Sequence, residues 1–157
     1  MQLYLLRHAE AEALAASDRE RRLTAKGEEQ AARVGKFCAQ RDIAPAVILS
    51  SPVVRARQTA DLVGSKLPDA KLVEVPWAAC GMDPWKAMDE LDAYAEFPAV
   101  MLVGHQPDLG GLTAALLAMT QVQSLHVRKA LLVGLDVSQG LTTGAGVLQF
   151  FLPVKLM

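Results

Sequence analysis

Short apolar runs alternate along the chain with longer segments in which apolar residues recur at helical spacing. The three strongest runs predict buried strands at Leu3–Leu6, Ala46–Leu49 and Ala99–Val103. The segments between them predict helices that cover these strands. Because strands and helices alternate, the pattern predicts a layered α/β fold rather than a helix bundle or a β-sandwich.

Several residues mark where the helices begin. Thr24 is placed to cap a helix that runs to about Gln40, and Ser51 is an N-cap candidate with Pro52 at the first helical position. Pro107 suits the first turn of a helix that follows the third strand. Weaker patterns predict an edge strand at Leu72–Val75, a helix at Asp83–Ala95, and final strands at Ala130–Val137 and Val147–Leu152.

Length and composition are those of one globular domain that spans residues 1–157. Of the 157 residues, 52% are hydrophobic and 21% are charged, which supplies enough apolar material for a core and excludes a disordered chain. The formal net charge of −1 provides no general attraction for nucleic acid or an anionic membrane. We therefore expect neither as a partner.

Targeting signals and disulfide patterns are missing from the sequence. The apolar run Met1–Leu6 has no basic lead-in and stops at Arg7, which does not fit a secretory signal. No segment approaches the roughly 18 apolar residues of a membrane span. Cys38 and Cys80 show neither CxxC nor metal-ligand spacing, so we expect two reduced, largely buried thiols. These features predict a cytoplasmic protein.

Polar side chains follow each of the three strongest strands. Arg7 and His8 follow the first, Ser51 and Arg55 the second, and His105 the third. Since ligands of open α/β sheets bind at the carboxyl ends of the strands, two arginines and two of the three histidines should converge there. A phosphate group would satisfy these arginines, one of which stands in the first turn of a helix.

Simpler interpretations exist for each residue alone. A single histidine is more often satisfied within the core, and Arg55 could form an ordinary surface ion pair. Arg7 is harder to explain in this way, because an arginine directly after a buried strand needs a fixed partner. Around a phosphoryl group, one histidine could attack phosphorus while the other, when protonated, donates to the phosphoryl oxygens.

Four motifs in order resemble those of the histidine phosphatase superfamily, also called the phosphoglycerate mutase-like family. Leu5–Ala9 resembles its Arg-His-Gly signature, and Leu23–Gly27 resembles the entry to its first helix. Ser50–Ala60 is similar to its second arginine block, and Val103–Pro107 to its second histidine block. The short chain, with Asp18 shortly before Leu23, looks most like the SixA-type branch.

The resemblance implies a three-layer α/β/α sandwich with a mostly parallel sheet. It also implies that His8 is the nucleophile and that Arg7, Arg55 and His105 form the phosphate pocket, with Arg21 as a further phosphate or substrate contact. Neither a metal nor another cofactor is expected. The SixA-type branch dephosphorylates phosphohistidine on histidine-containing phosphotransfer proteins, so such a protein is the expected partner of a monomeric enzyme.

Two positions depart from the pattern of the family. Ala9 stands where glycine usually follows the nucleophile, which would lower activity if the backbone there requires positive φ or a very close approach to phosphate. Otherwise alanine is harmless. Arg22 occupies a place where many relatives have proline, which leaves open whether Arg21 or Arg22 faces the pocket.

The segment from about Pro68 to Pro98 is too short for the inserted lid that carries a carboxylic acid in larger members. An imidazole leaving group needs such an acid less than an alkoxide does, which favours a phosphohistidine substrate. Five acidic residues could donate a proton to the leaving group, although the simplest interpretation is that they are solvated surface charges. They are Glu10, Glu74, Asp83, Asp89 and Glu90.

Two further functions compete with this hypothesis. A small-molecule phosphomonoesterase would use the same residues on a different leaving group. A catalytically weak module that binds phosphate or a phosphoprotein would keep the pocket alone, and Ala9 is the feature that favours it. A metal site at His8 and His105 is disfavoured because the flanking arginines would repel a divalent cation.

Overall fold

The computed structural model describes residues 1–121 and 125–157. Within these residues the chain forms one six-stranded sheet and four α-helices. In chain order the elements are β1 (Gln2–Arg7), α1 (Ala25–Gln40), β2 (Val47–Ser50), α2 (Val54–Gly64), β3 (Lys71–Glu74), α3 (Pro84–Asp92), β4 (Ala99–Gly104), α4 (Asp108–Leu116), β5 (Leu132–Asp136) and β6 (Val147–Leu152).

The strands lie in the order β3-β2-β4-β1-β5-β6. The first four of these are parallel, whereas β5 runs antiparallel to β1 and β6 antiparallel to β5. In this register Arg7 is paired with Gly104 and Ser50 with Val103. The carboxyl ends of β1, β2 and β4 therefore meet at one edge of the sheet, where the polar residues of all three were predicted to converge.

Helices cover both faces of the sheet, which confirms the predicted three-layer α/β/α arrangement. On one face, α1 and α2 pack through Val34, Cys38 and Val63 against sheet residues such as Ile48 and Met101. The other face carries α3 and α4, whose buried residues are Ala87, Met88, Leu91, Leu109, Leu112 and Leu116 among others. In the described part of the chain, no helix is both long and apolar enough to cross a membrane.

The starts of α2 and α4 differ from the prediction. Helix α2 begins at Val54, so Ser51 is not its N-cap and Pro52 is not its first residue. The Ser51 hydroxyl instead accepts a hydrogen bond from the Val53 N–H at 3.2 Å. In α4, Pro107 is the N-cap residue and precedes the first turn. Both prolines thus lie in the loops that connect β2 and β4 to their helices.

Helix α3 belongs to the core layer and does not form a lid. Asp83 caps it by accepting from the Lys86 N–H at 2.9 Å, and its inner face is buried beside α4. The segment between Pro68 and Pro98 is thus occupied by β3, a 3-10 turn at Pro76–Ala78 and α3. None of these elements adds an inserted domain.

The N-terminus of α1 supports the loop that follows β1. The Thr24 hydroxyl caps α1 by accepting from the Gly27 N–H at 3.1 Å, as predicted, and the Thr24 N–H donates to the Glu10 carbonyl at 3.1 Å. A Cβ on Gly27 would overlap that carbonyl oxygen, so glycine allows the close approach of helix and loop. The backbone just after His8 is thereby fixed to α1.

Candidate active site

His8 lies directly after β1 and is 5% exposed. Its Nδ1–H donates to the Ala9 carbonyl at 2.8 Å, since a carbonyl oxygen only accepts. Its Nε2 accepts from Arg55 Nε at 3.2 Å. Burial, followed by the charges of His105, Arg55 and Arg7, lowers the pKa of His8 from 6.5 to about 3. His8 is therefore a neutral imidazole at pH 7 with a nucleophilic lone pair on Nε2.

His105 follows β4, and its ring centroid lies 5.3 Å from that of His8. One nitrogen, Nε2, is 2.8 Å from the Ser51 hydroxyl oxygen. The other, Nδ1, is buried and has no hydrogen-bond partner among the described residues. Burial and then the charge of Arg55 lower the pKa of His105 to about 4. One ring nitrogen is thus anchored, and the other is free to contact a ligand.

Arg7 occupies the last position of β1 and enters the same site. Its terminal NH1 donates to the Val127 carbonyl at 2.9 Å, whereas its Nε is buried without a partner in residues 1–121 and 125–157. Burial and the nearby charge of Arg55 lower the pKa of Arg7. Two guanidinium groups that disfavour each other in a half-buried site are stabilised by an anion.

Arg55 is buried in the first turn of α2, and each of its three side-chain nitrogens donates a hydrogen bond. Nε donates to His8, while NH1 donates to the Asp18 carbonyl at 2.6 Å and NH2 to the Asp18 carboxylate at 2.9 Å. NH2 also lies 3.5 Å from Cys80 Sγ. Cys38 is buried as predicted, but the prediction for Cys80 was wrong, because Cys80 is exposed on the loop after β3.

Arg7, His8, Arg55 and His105 thus meet at one edge of the sheet, and we call these four residues the basic pocket. Arg21 reaches it indirectly, through an ion pair of 2.8 Å with Asp18. Arg22 is exposed, and its backbone N–H donates to the Glu12 carboxylate. Of the two adjacent arginines, Arg21 is therefore the one linked to the pocket, through Asp18.

Ala9 fits its position without strain. It is fully buried in the core, and its φ is not in the positive region that would require glycine. Its N–H donates to the Thr59 hydroxyl at 3.1 Å, and that hydroxyl donates in turn to the Arg55 carbonyl at 2.7 Å. Thr59 therefore connects the backbone beside His8 to the helix that carries Arg55.

Three of the five acidic residues considered as proton donors have other partners, and the other two lie on helix α3. Glu10 forms an ion pair with Lys26 at 3.1 Å, and Glu74 forms one with Arg57 at 2.7 Å. Asp83 caps α3, and the remaining two, Asp89 and Glu90, lie on that helix. Among the described residues, no group of three or more His, Cys, Asp or Glu side chains is arranged to hold a metal ion.

Comparison with known proteins places this geometry in a family. The family model described as histidine phosphatase superfamily (branch 1) matches residues 3–102. This range includes three of the four residues of the basic pocket; His105 lies just beyond it. The chain belongs to the histidine phosphatase superfamily. An uncharacterised protein of Picosynechococcus sp. is 34% identical over 143 residues, which cover 86% of this chain and 84% of that protein.

Solved structures of other histidine phosphatases share the phosphoglycerate mutase-like fold. A protein histidine phosphatase SixA complexed with tungstate is 22% identical, with a TM-score of 0.87 over 99% of each chain. A candidate SixA phosphohistidine phosphatase from Agrobacterium tumefaciens is 26% identical, with a TM-score of 0.84 over 97% of each chain. A phosphoserine phosphatase mutant from Entamoeba histolytica is 16% identical, with a TM-score of 0.76 over 98% of each chain. The chain is thus similar to phosphatases of several substrates.

Three residues at this site have contacts that the sequence did not indicate. They are Ser51, which holds His105, Thr59, which links the backbone after His8 to helix α2, and Asp18, which contacts Arg55. A partial signal existed for Asp18, because an acidic residue three positions before Arg21 is suited to an ion pair. Nothing in the sequence indicated that Arg55 would share it.

The two buried histidines should make the fold sensitive to acid. The unfolded chain binds protons on these rings below about pH 6.5, whereas the folded pKa values are about 3 for His8 and about 4 for His105. Lowering the pH from 6.5 towards 4 therefore favours unfolding. Each histidine should reduce the free energy of unfolding by about 1–2 kcal/mol at pH 5 relative to pH 7.

Urea unfolding at both pH values measures this loss. His105→Gln should lose less stability on acidification than the unmodified protein, and His126→Gln, at an exposed position, is the matched control with an unchanged loss. If all three proteins lost the same free energy of unfolding on acidification, the effect could not be assigned to the buried ring of His105.

Proposed function

We propose that the protein hydrolyses phosphohistidine on a histidine-containing phosphotransfer protein, with His8 as the nucleophile. The observation that carries the proposal is the pair of buried nitrogens, Arg7 Nε and His105 Nδ1, without partners among the described residues. They stand beside the neutral His8 ring. Buried polar atoms in native structures are nearly always hydrogen-bonded, and a phosphoryl group supplies oxygens for both.

In the first step, His8 Nε2 is released from its hydrogen bond with Arg55 Nε and attacks the phosphorus of the substrate with the lone pair that had accepted it. The bond from His8 to phosphorus forms while the P–N bond of the substrate breaks, and the electrons of that bond remain on the departing imidazole. The Nδ1–H bond to the Ala9 carbonyl, 2.8 Å long, keeps the reacting tautomer and the ring orientation. Arg7 and Arg55 stabilise the charge on the phosphoryl oxygens.

His105 donates to the phosphoryl group in its protonated form. The positive charges of Arg55 and Arg7 contribute to its low pKa, and a doubly negative phosphoryl group opposes their effect. Once protonated, His105 can donate from Nε2 to the Ser51 hydroxyl and from Nδ1 to a phosphoryl oxygen. Water then attacks the phosphorus bound to His8, and the bond to Nε2 breaks with its electrons returning to the ring. Both protons of the water leave on the inorganic phosphate.

The chemistry of the leaving group favours phosphohistidine over an alkyl phosphate ester. The carboxylate that contacts the pocket is Asp18, and Arg21 and Arg55 hold its pKa below the usual value. Asp18 is thus ionised at pH 7 and cannot protonate an alkoxide. A phosphohistidine ring that is protonated on its other nitrogen departs as neutral imidazole, so it needs no carboxylic acid.

A phosphomonoesterase is the second candidate function. Support for it comes from similar structures named as α-ribazole-5'-P phosphatase from Escherichia coli and phosphoserine phosphatase from Entamoeba histolytica. The binding-module hypothesis rested on Ala9, and its relaxed backbone removes that support.

The test compares release of phosphate from a phosphotransfer protein carrying phosphohistidine with hydrolysis of phosphoserine, an alkyl phosphate ester. We expect kcat/KM to be on the order of 100-fold higher for the phosphoprotein. A higher value for the ester would instead support the phosphomonoesterase. Chelator added to both assays should leave the rates unchanged if the reaction uses no metal.

A further inference from the structure

Asp18 accepts hydrogen bonds from NH1 and NH2 of Arg55, whereas the Nε of Arg55 donates to His8. The Asp18 carbonyl and one carboxylate oxygen accept from NH1 and NH2 of Arg55, and the other carboxylate oxygen accepts from Arg21 at 2.8 Å. The side chain of Arg55 is 6% exposed, whereas the side chain of Asp18 is 61% exposed. The buried cation is therefore held by an anion that lies mostly in solvent.

A phosphoryl group needs the same donors that Asp18 uses. Arg55 NH1 and NH2 form the fork that pairs with two oxygens of a phosphate, and both are engaged by Asp18. Because each donor hydrogen bond is directional, a phosphoryl oxygen and Asp18 compete for this fork. NH1 and NH2 each carry a second N–H, but bidentate binding of phosphate through the NH1/NH2 fork requires Asp18 to withdraw.

Asp18 can withdraw without disturbing the core. It belongs to a three-residue 3-10 turn, Asp18–Glu20, that contains no buried residue. The turn borders an open concavity lined by Asp18, Arg19, Val53, Ala79 and Cys80. Arg21, its second partner, is part-exposed and can keep the carboxylate when Arg55 releases it.

We propose that Asp18 is an internal competitor for the phosphate site, which weakens the binding of phosphate and promotes its release after turnover. The proposal rests on the proposed function, in which Arg55 binds the phosphoryl group. If Arg55 is free for a fraction f of the time, the apparent dissociation constant of phosphate equals the intrinsic constant divided by f. A protein substrate with additional contacts tolerates this weakening better than inorganic phosphate does.

Substitution of Asp18 should therefore tighten the binding of inorganic phosphate. Both Asp18→Asn and Asp18→Ala remove the carboxylate that holds NH2, and with it the charge that anchors the residue 18 carbonyl at NH1. For both variants we expect the dissociation constant, measured by calorimetry, to fall roughly tenfold. Asp61→Asn is the matched control, since Asp61 is an exposed aspartate paired with Arg57 on the same helix as Arg55. Its dissociation constant should be unchanged. A residue with a merely structural role would weaken phosphate binding when removed.

A double variant shows whether Asp18 acts through Arg55. On an Arg55→Ala background, Asp18→Asn should give no gain in phosphate affinity. Thermal unfolding provides a second measurement: phosphate at a fixed concentration should raise the Tm of Asp18→Asn by more than it raises the Tm of the unmodified protein. Unchanged or weaker phosphate binding by both Asp18 variants would overturn the proposal.

The phosphate-binding test of the Asp18 variants does not depend on whether the protein turns over phosphohistidine. A protein in which Asp18→Asn tightens phosphate binding, but which releases no phosphate from phosphohistidine, would contradict the proposed function and support the competition. If the protein hydrolyses phosphohistidine but the Asp18 variants bind phosphate no better, the proposed function is supported and the competition by Asp18 is contradicted.

Discussion

Replacing His8 by alanine should remove turnover of every phosphorylated substrate, with a loss on the order of 10⁴-fold or more in kcat. The Nε2 lone pair of His8 is the nucleophile that forms the covalent intermediate, and Ala offers no atom in its place. Single-turnover assays with a ³²P-labelled phosphohistidine protein measure the loss. Acid-labile, alkali-stable label should be trapped on the unmodified protein and not on His8→Ala.

The matched control is His126→Ala, which removes the exposed third histidine and should leave kcat unchanged. His8 lies at the sheet edge, so its removal should leave the protein folded, which circular dichroism and urea unfolding verify. Near-normal turnover by folded His8→Ala would require another nucleophile and would overturn the mechanism proposed above.

The convergence of the basic pocket was predictable because it depends on strand order and register more than on side-chain detail. Arg7, Arg55 and His105 each stand a few residues beyond an apolar run, and parallel pairing brings those runs level: Arg7 pairs with Gly104. The pattern of apolar residues thus identified the edge. The family motifs then supplied the roles expected for each residue.

Contacts made by loops were not predictable in the same way. Ser51 was expected to cap α2, but its hydroxyl faces His105 at 2.8 Å, and the helix begins three residues later. Cys80 was expected to be buried, yet the loop after β3 leaves it exposed beside Arg55. The contact of Ser51 and the exposure of Cys80 both depend on the path of an irregular loop. Residue type alone gives little information about that path.

The effect of Ala9 could be stated from the sequence only as a pair of alternatives. The choice between them depends on a backbone angle and on whether the added methyl group would lie close to phosphate. The structure gives Ala9 an ordinary φ with its N–H bound to Thr59. The methyl group lies in the core with Ala11 and Leu23. Alanine after the nucleophile therefore gives no reason to expect weak catalysis.

Charge in the basic pocket links ligand binding to proton uptake. Burial and then the charges of the two arginines keep both histidines neutral at pH 7, with pKa values of about 3 for His8 and about 4 for His105. A bound phosphate dianion raises both pKa values, and His105 with its free Nδ1 is the ring placed to accept the proton. We therefore expect the affinity for the phosphate dianion, measured by calorimetry, to increase as the pH falls from the pKa of His105 in the complex towards its value of about 4 in the free protein.

Replacing Arg55 by alanine should weaken phosphate binding and also slow the chemical step, because its charge contacts the phosphoryl group in both the ground and transition states. We expect kcat/KM to fall on the order of 10³-fold, typical of the loss of a central charge-stabilising donor. Arg55→Lys should recover only part of this loss, since lysine keeps the charge but lacks the planar fork. Steady-state kinetics and phosphate calorimetry measure the two effects separately.

Arg57→Ala is the control that distinguishes this role from a general effect of positive charge on α2. Arg57 is two residues away on the same helix, but it is exposed and pairs with Asp61 and Glu74 outside the pocket. Its removal should change kcat/KM by less than about twofold, in keeping with the small contribution of surface ion pairs. Equal losses in Arg55→Ala and Arg57→Ala would mean that the protein attracts its substrate by long-range charge, and that the buried guanidinium has no direct contact with phosphate.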